Sequence, residues 1–93
     1  MYTCILDGKL IKDREMLHGI LAAQPEFPDW YGRNLDALHD CLTDMQEEML
    51  IRVQNENDLI LHLGNYAAAF LKVLAASADE NKKIHYVVEP NYN

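Results

Sequence analysis

The sequence predicts an α/β domain with a three-stranded parallel sheet packed by about four helices. Short apolar runs rich in β-prone residues alternate along the chain with longer segments whose apolar residues recur at helical spacing. The short runs are apolar almost without interruption, which is typical of strands in a parallel sheet that helices cover. The helical segments between them are then the right-handed crossovers that join parallel strands.

The first strand and the first helix occupy the N-terminal part of the chain. Residues 2–6 are apolar and β-prone, and the Asp7-Gly8 pair that follows predicts a turn. Asp13 is a suitable N-cap for a helix whose apolar residues recur between positions 16 and 21. Pro25 and Pro28 end this helix and stiffen the loop that comes after it.

The stiff loop leads into a second helix. It presents two adjacent aromatic residues, Trp30 and Tyr31, and we expect one of the two to pack into the core. Asn34 is an acceptable N-cap, so the helix is predicted from there to about Asp44.

The C-terminal half adds two strands and two helices. Strands are predicted at residues 49–53 and 84–88. Residues 57–63 are ambiguous, because Asn57 or Asp58 could cap a short helix while alternating leucines suit a strand, and we prefer the helix. A Gly-Asn pair ends that segment, and an amphipathic helix follows from Tyr66 to about Asp79.

Composition limits the classes of function. The 93 residues, of which 49% are hydrophobic, fit one domain spanning residues 1–93. A net charge of -7 argues against direct binding of nucleic acid, which needs clustered Lys and Arg, and favours a basic protein partner. Neither a secretory leader nor an apolar run of the about 20 residues that span a membrane is visible, so we expect a cytoplasmic protein. Cys4 and Cys41 are then expected to be reduced.

The predicted second helix carries the most informative pattern. Its apolar residues share one arc of the helical wheel, and three aspartates share another: Leu35, Leu38, Cys41 and Leu42 against Asp36, Asp40 and Asp44. Like charges at i,i+4 destabilise a helix by about 0.2–0.5 kcal/mol per pair. Wheel geometry alone favours a plain solvated face. Aromatic residues beside the carboxylates, Trp30 and Tyr31, are instead typical of anchors in a protein interface, and His39 lies in the same row.

Residues 27–43 resemble the central block of the barstar family, whose type member is the intracellular inhibitor of the secreted ribonuclease barnase. The block reads Phe-Pro-Asp-Trp-Tyr-Gly-Arg-Asn-Leu-Asp-Ala-Leu-His-Asp-Cys-Leu-Thr. Outside the block the similarity is diffuse, although the order of elements fits nearly the whole chain. The resemblance implies the barstar fold, in which the second helix and the preceding loop plug the active site of a guanyl-specific ribonuclease.

The resemblance also implies roles for individual residues. Asp40 matches the family's principal carboxylate, which occupies the phosphate-binding site of the enzyme, and Asp36 matches a second acidic contact. Trp30 falls where the family has a tyrosine that stacks on the nuclease's catalytic histidine. With their neighbours, these residues form the predicted partner-binding set: Trp30, Gly32, Asn34, Asp36, His39, Asp40, Thr43 and Asp44. Because carboxylate oxygens accept charge-assisted hydrogen bonds as phosphate oxygens do, inhibition would be substrate mimicry.

Two positions depart from the family's pattern. His39 stands where barstar typically has a tryptophan, and Ala76 stands where the family has a glutamate that makes a peripheral ion pair. The target is therefore left open between a barnase-like enzyme and a toxin ribonuclease with a differently shaped rim. We expect an immunity protein that is monomeric when free and needs no cofactor, metal or membrane.

Two other classes of function compete with inhibition. An enzyme would use Asp36, His39 and Asp40 as metal ligands or as an acid/base set. No HExxH or CxxC spacing, Gly-rich phosphate loop or nucleophile elbow supports that reading, so we predict that the protein is not an enzyme. The remaining alternative is an acidic interaction module of the same fold that binds a partner other than a nuclease.

Overall fold

The structure is a computed structural model that describes residues 1–91, and it has the predicted α/β architecture. The elements in chain order are β1 (Tyr2–Asp7), α1 (Arg14–Ala22), α2 (Leu35–Thr43), β2 (Met49–Gln54), α3 (Glu56–Leu63), α4 (Asn65–Glu80) and β3 (Ile84–Val88). The three strands and four helices predicted from the sequence are thus confirmed over this range. The last two positions of the predicted 1–93 domain lie outside the described residues.

The sheet is parallel, with β2 in the centre and β1 and β3 at its edges. One face packs under the helices, and these residues, which alternate along the strands, are buried there: Cys4, Leu6, Met49, Ile51, Val53 and Ile84. On the other face Ile5 and Val87 are almost half exposed. The near-continuous apolar pattern predicted a sheet covered by helices, whereas the helices pack on only one of its faces.

The segment predicted with least clarity, residues 57–63, belongs to α3. The helix begins at Glu56, so neither Asn57 nor Asp58 is its N-cap, and the prediction of those caps was wrong. Asn55 precedes the helix in the left-handed conformation, with φ of 55°, and its side chain makes no capping bond. Asn55 instead donates from Nδ2 to the carboxylate of Asp7 at 2.7 Å, which ties the start of α3 to the end of β1.

The turn after β1 packs closely against α3. A Cβ atom on Gly8 would collide with the carbonyl oxygen of Asn55 and the amide of Leu59, so a side chain at this position has no room. His62 donates from Nδ1 to the Gly8 carbonyl at 2.9 Å. After the turn, Asp13 caps α1 as predicted, with its carboxylate accepting from a first-turn amide.

Both ends of α2 are held by asparagine side chains. Asn34 accepts from the amide of Ala37 at 2.8 Å and so forms the predicted N-cap. At the other end, Nδ2 of Asn81 donates to the carbonyls of Leu42 at 2.9 Å and Met45 at 3.0 Å. Because a helix leaves its terminal amides and carbonyls without internal partners, these bonds fix α2 on the rest of the fold.

The core lies between the sheet and the helices. Leu38 and Leu42 of α2 and Phe70 of α4 are fully buried there, and α2 packs along α4. Cys4 and Cys41 are both buried and free, in agreement with the expected reduced thiols. None of the helices found in residues 1–91 is long and apolar enough to span a bilayer.

Candidate functional site

The outward face of α2 carries the predicted row of carboxylates. Asp36, Asp40 and the C-cap residue Asp44 are exposed, while Leu38 and Leu42 on the opposite face are fully buried. Within residues 1–91, none of the three carboxylates accepts a hydrogen bond or joins an ion pair. Their oxygens are therefore free to bind donors from outside the molecule. We call these three residues the acidic row.

The two aromatic residues of the loop differ in burial. Tyr31 is only 5% exposed and packs edge-on against Phe27, with ring centroids 5.0 Å apart. Trp30 is 81% exposed. The prediction that one of the pair packs into the core is confirmed. A free-standing indole is typical of an interface anchor, because burying it against a partner releases a large apolar area from water.

An open cleft of about 280 Å³ lies between Trp30 and the acidic row. Pro28 and Met45 contribute apolar wall, and Asp40 and Asp44 contribute carboxylates. Long basic side chains lay their methylene stems on apolar surface while the charged head stays with polar groups. The cleft therefore has the chemistry to receive a lysine or arginine side chain.

Three other residues of the predicted partner-binding set are engaged within the molecule. Asn34 caps α2 through Oδ1 and donates from Nδ2 to the carbonyl of Gly32 at 3.2 Å. Thr43 donates from its hydroxyl to the carbonyl of His39 at 2.8 Å. Gly32 and Asn34 are exposed and Thr43 is partly exposed, so a partner could still reach them. Their internal bonds shape the loop and helix that carry the acidic row.

His39 connects α2 to α4. Its Nε2 atom forms a hydrogen bond with the carboxylate of Glu80. Glu80 lies one helical turn after Ala76, so α4 still supplies a carboxylate beside α2 although position 76 has none. The enzyme interpretation grouped His39 with Asp36 and Asp40, but its ring nitrogen is directed to Glu80. In the part of the chain that the structure describes, no group of three or more His, Cys, Asp and Glu residues could hold a metal ion.

Comparison with known proteins agrees with this architecture. The family model described as "Barstar (barnase inhibitor)" matches residues 1–89, which include every strand and helix. This chain belongs to the barstar family. A curated protein of Bacillus subtilis (strain 168), named "Putative ribonuclease inhibitor YrdF", is 41% identical over 83 residues, covering 88% of this chain and 91% of that relative. The similarity to the barstar family, first seen in residues 27–43, therefore covers residues 1–89.

One feature of this barstar-family chain has no counterpart in the sequence predictions. A cavity of about 560 Å³ opens at the N-terminal end of α2. Two arginines line it, Arg14 from α1 and Arg33 from the loop, together with the buried His18 and with Tyr66 from α4. The acidic residues Glu15 and Asp36 line it as well. No sequence pattern indicated it, since these residues are brought together only by the packing of separate elements.

A hydrogen-bonded chain of rings forms one wall of that cavity. His18 contacts the hydroxyl of Tyr31 through Nδ1 and the hydroxyl of Tyr66 through Nε2, each at 2.6 Å. Burial lowers the pKa of His18, and the positive charges of Arg14 and Arg33 lower it further. The imidazole is therefore neutral at neutral pH, donating through one ring nitrogen and accepting through the other.

Proposed function

We propose that this protein inhibits a basic, guanyl-specific ribonuclease of the barnase type, with α2 and the preceding loop blocking the enzyme's active site. The observation that carries the proposal is the unpaired carboxylate of Asp40, central in the acidic row and across an open cleft from the exposed Trp30. The description of the family and the name of the relative both refer to ribonuclease inhibition, which supports the same proposal.

The proposed mechanism is mimicry of the RNA phosphate. A ribonuclease binds phosphate oxygens with charged donors, and a carboxylate offers acceptors of the same kind. Asp40 would take the place of the phosphate. Asp36 and Asp44 lie one turn to either side, about 6 Å along the helix axis, and would meet basic groups around the site. The Trp30 indole would stack on the planar ring of the catalytic histidine.

The rigidity of the presenting element favours tight binding. Asn34 and Asn81 hold the two ends of α2, and Leu38 and Leu42 anchor its inner face. Because the helix is already in place, little conformational entropy is lost when a partner binds it. The net charge of -7 adds long-range attraction toward a basic enzyme.

We further propose a cellular role as an immunity protein. On this view the protein acts in the cytoplasm as a free monomer and protects the producing cell from a toxin ribonuclease. The mechanism uses only the side chains of α2 and its loop, so it needs no cofactor. The histidine at position 39 and the alanine at position 76 alter the rim of the binding surface, and they are expected to tune which nuclease is recognised.

The direct test is titration of barnase with the purified protein. We expect stoichiometric loss of RNA cleavage, and we expect Asp40→Ala to weaken binding by about tenfold to a hundredfold, because lost charge-assisted hydrogen bonds are worth about 1.5–3 kcal/mol. Glu56→Ala on α3 is the matched control. It removes the same charge from a residue that lines neither the cleft beside Trp30 nor the cavity at the N-terminal end of α2.

Equal affinities for the two variants would show that Asp40 has no special role. If the folded protein inhibits neither barnase nor other basic toxin ribonucleases, the interaction module with a different partner becomes the better account.

A further inference from the structure

We infer that the cavity between Arg14 and Arg33 receives an acidic side chain of the bound partner, which makes Arg33 a specificity-determining residue. We call it the basic cavity. The inference rests on the proposed function, because the partner is the nuclease that α2 blocks. It goes further in assigning a carboxylate to the partner at the place where the inhibitor presents two guanidinium groups.

The first observation is that both arginines lack an acidic partner. Within residues 1–91, neither Arg14 nor Arg33 joins an ion pair, although the chain has 15 acidic residues against 8 lysines and arginines. The guanidinium of Arg14 lies over the ring of Tyr66, 5.5 Å from its centroid, which holds it at the wall of the cavity. Glu15 and Asp36 also line the cavity, but neither forms an ion pair with the arginines, so the two guanidinium groups remain free to bind an anion.

The second observation is the rigidity of the walls. The Tyr66 hydroxyl is bonded to His18, which is only 2% exposed and is bonded again to the buried Tyr31. Arg33 has a left-handed backbone, with φ of 55°, and it directly precedes the N-cap of α2. The N-terminal end of that helix carries the positive end of the helix dipole, which adds positive potential on the same side.

The position of the basic cavity decides which anion it receives. Asn34 and Asp36 line it and also belong to the predicted partner-binding set, so a protein that covers α2 covers the cavity as well. The chain carries a net charge of -7, and the acidic row begins at the lip of the cavity, so a nucleic acid would be repelled. A single carboxylate on a basic protein is drawn in with the rest of that protein, so only the local charges of Asp36 and Glu15 oppose its entry.

The arrangement would set both orientation and choice of partner. The acidic row requires cations at the centre of the partner's site, and the basic cavity requires an anion at its edge. A nuclease with a lysine or arginine at that edge would place like charges together, which costs affinity and excludes it.

The experiment measures the Kd and dissociation rate for a ribonuclease that the unaltered protein inhibits, beginning with barnase. We expect Arg33→Glu to raise the Kd by about tenfold or more, mainly through faster dissociation. Lys9→Glu is the matched control, because it makes the same charge change at an exposed residue that lines neither cavity. The added negative charge of Lys9→Glu should leave the Kd within about twofold or improve it.

Two further measurements separate the outcomes. Arg33→Lys, which keeps the charge, should retain most of the affinity, and thermal unfolding of each variant shows whether it remains folded. Equal effects of Arg33→Glu and Lys9→Glu would overturn this inference while Asp40→Ala still reports on the proposed function. Binding of inorganic phosphate or a short RNA that depends on Arg33, without any effect of Arg33→Glu on nuclease affinity, would overturn it in favour of a phosphate site.

Discussion

The helix α2 is nine residues long, and its two faces have different roles. The inner face places Leu38 and Leu42 in the core, where neither retains any exposed surface. The outer face places Asp36 and Asp40 in solvent without a partner in residues 1–91, at a spacing where like charges repel. The inner face therefore stabilises the fold, whereas the outer face slightly opposes it. Stability and binding should respond to separate substitutions in one helix.

The largest effect is expected on the inner face. Leu38→Ala should lower the free energy of unfolding by about 2–5 kcal/mol, because it removes buried methyl groups and leaves a cavity. Leu61→Ala is the control, since Leu61 is 78% exposed and its truncation should change stability by less than about 0.5 kcal/mol. Urea denaturation measures both. Similar losses for the two variants would mean that burial on the inner face of α2 does not determine stability.

A smaller effect should come from acid, through the buried His18. Its pKa in the folded protein is lowered from the ordinary value of 6.5, so the unfolded chain takes up a proton at higher pH than the folded one. Stability from this group is complete above about pH 6.5 and is lost as the pH falls through that value toward the folded pKa. The free energy of unfolding, measured between about pH 7.5 and 5.5, should therefore decrease on acidification.

Matched histidine variants identify the source of this pH dependence. His18→Gln cannot titrate and should flatten the slope, although it also lowers stability at neutral pH. His85→Gln alters an exposed histidine that contacts Glu48 at the surface, and it should leave the acid loss from His18 in place. A slope that survives His18→Gln unchanged would assign the effect to other groups.

The same contrast explains what the sequence could and could not predict. The strands, the helices and the acidic row follow from spacings of two to four residues, so they are visible in a single sequence. The alternating leucines of α3 also suited a strand, but the preferred helix is confirmed: Leu59 is buried while Leu61 points to solvent, as helical spacing requires. The contact of His39 with Glu80 and the meeting of Arg14 with Arg33 depend on tertiary packing between distant segments, which no local pattern encodes.

The smallest effect is expected on the outer face, and it tests the contrast between the two faces of α2 most directly. Asp40→Asn removes repulsion with both Asp36 and Asp44, each worth about 0.2–0.5 kcal/mol, so the free energy of unfolding should rise by up to about 1 kcal/mol. Asp36→Asn removes one repulsion but also a favourable charge at the helix N-terminus, so its net effect should be near zero. Urea denaturation of both variants measures this difference. A loss of stability in Asp40→Asn would mean that this carboxylate stabilises the fold. The separation of stability on the inner face from binding on the outer face would then be wrong.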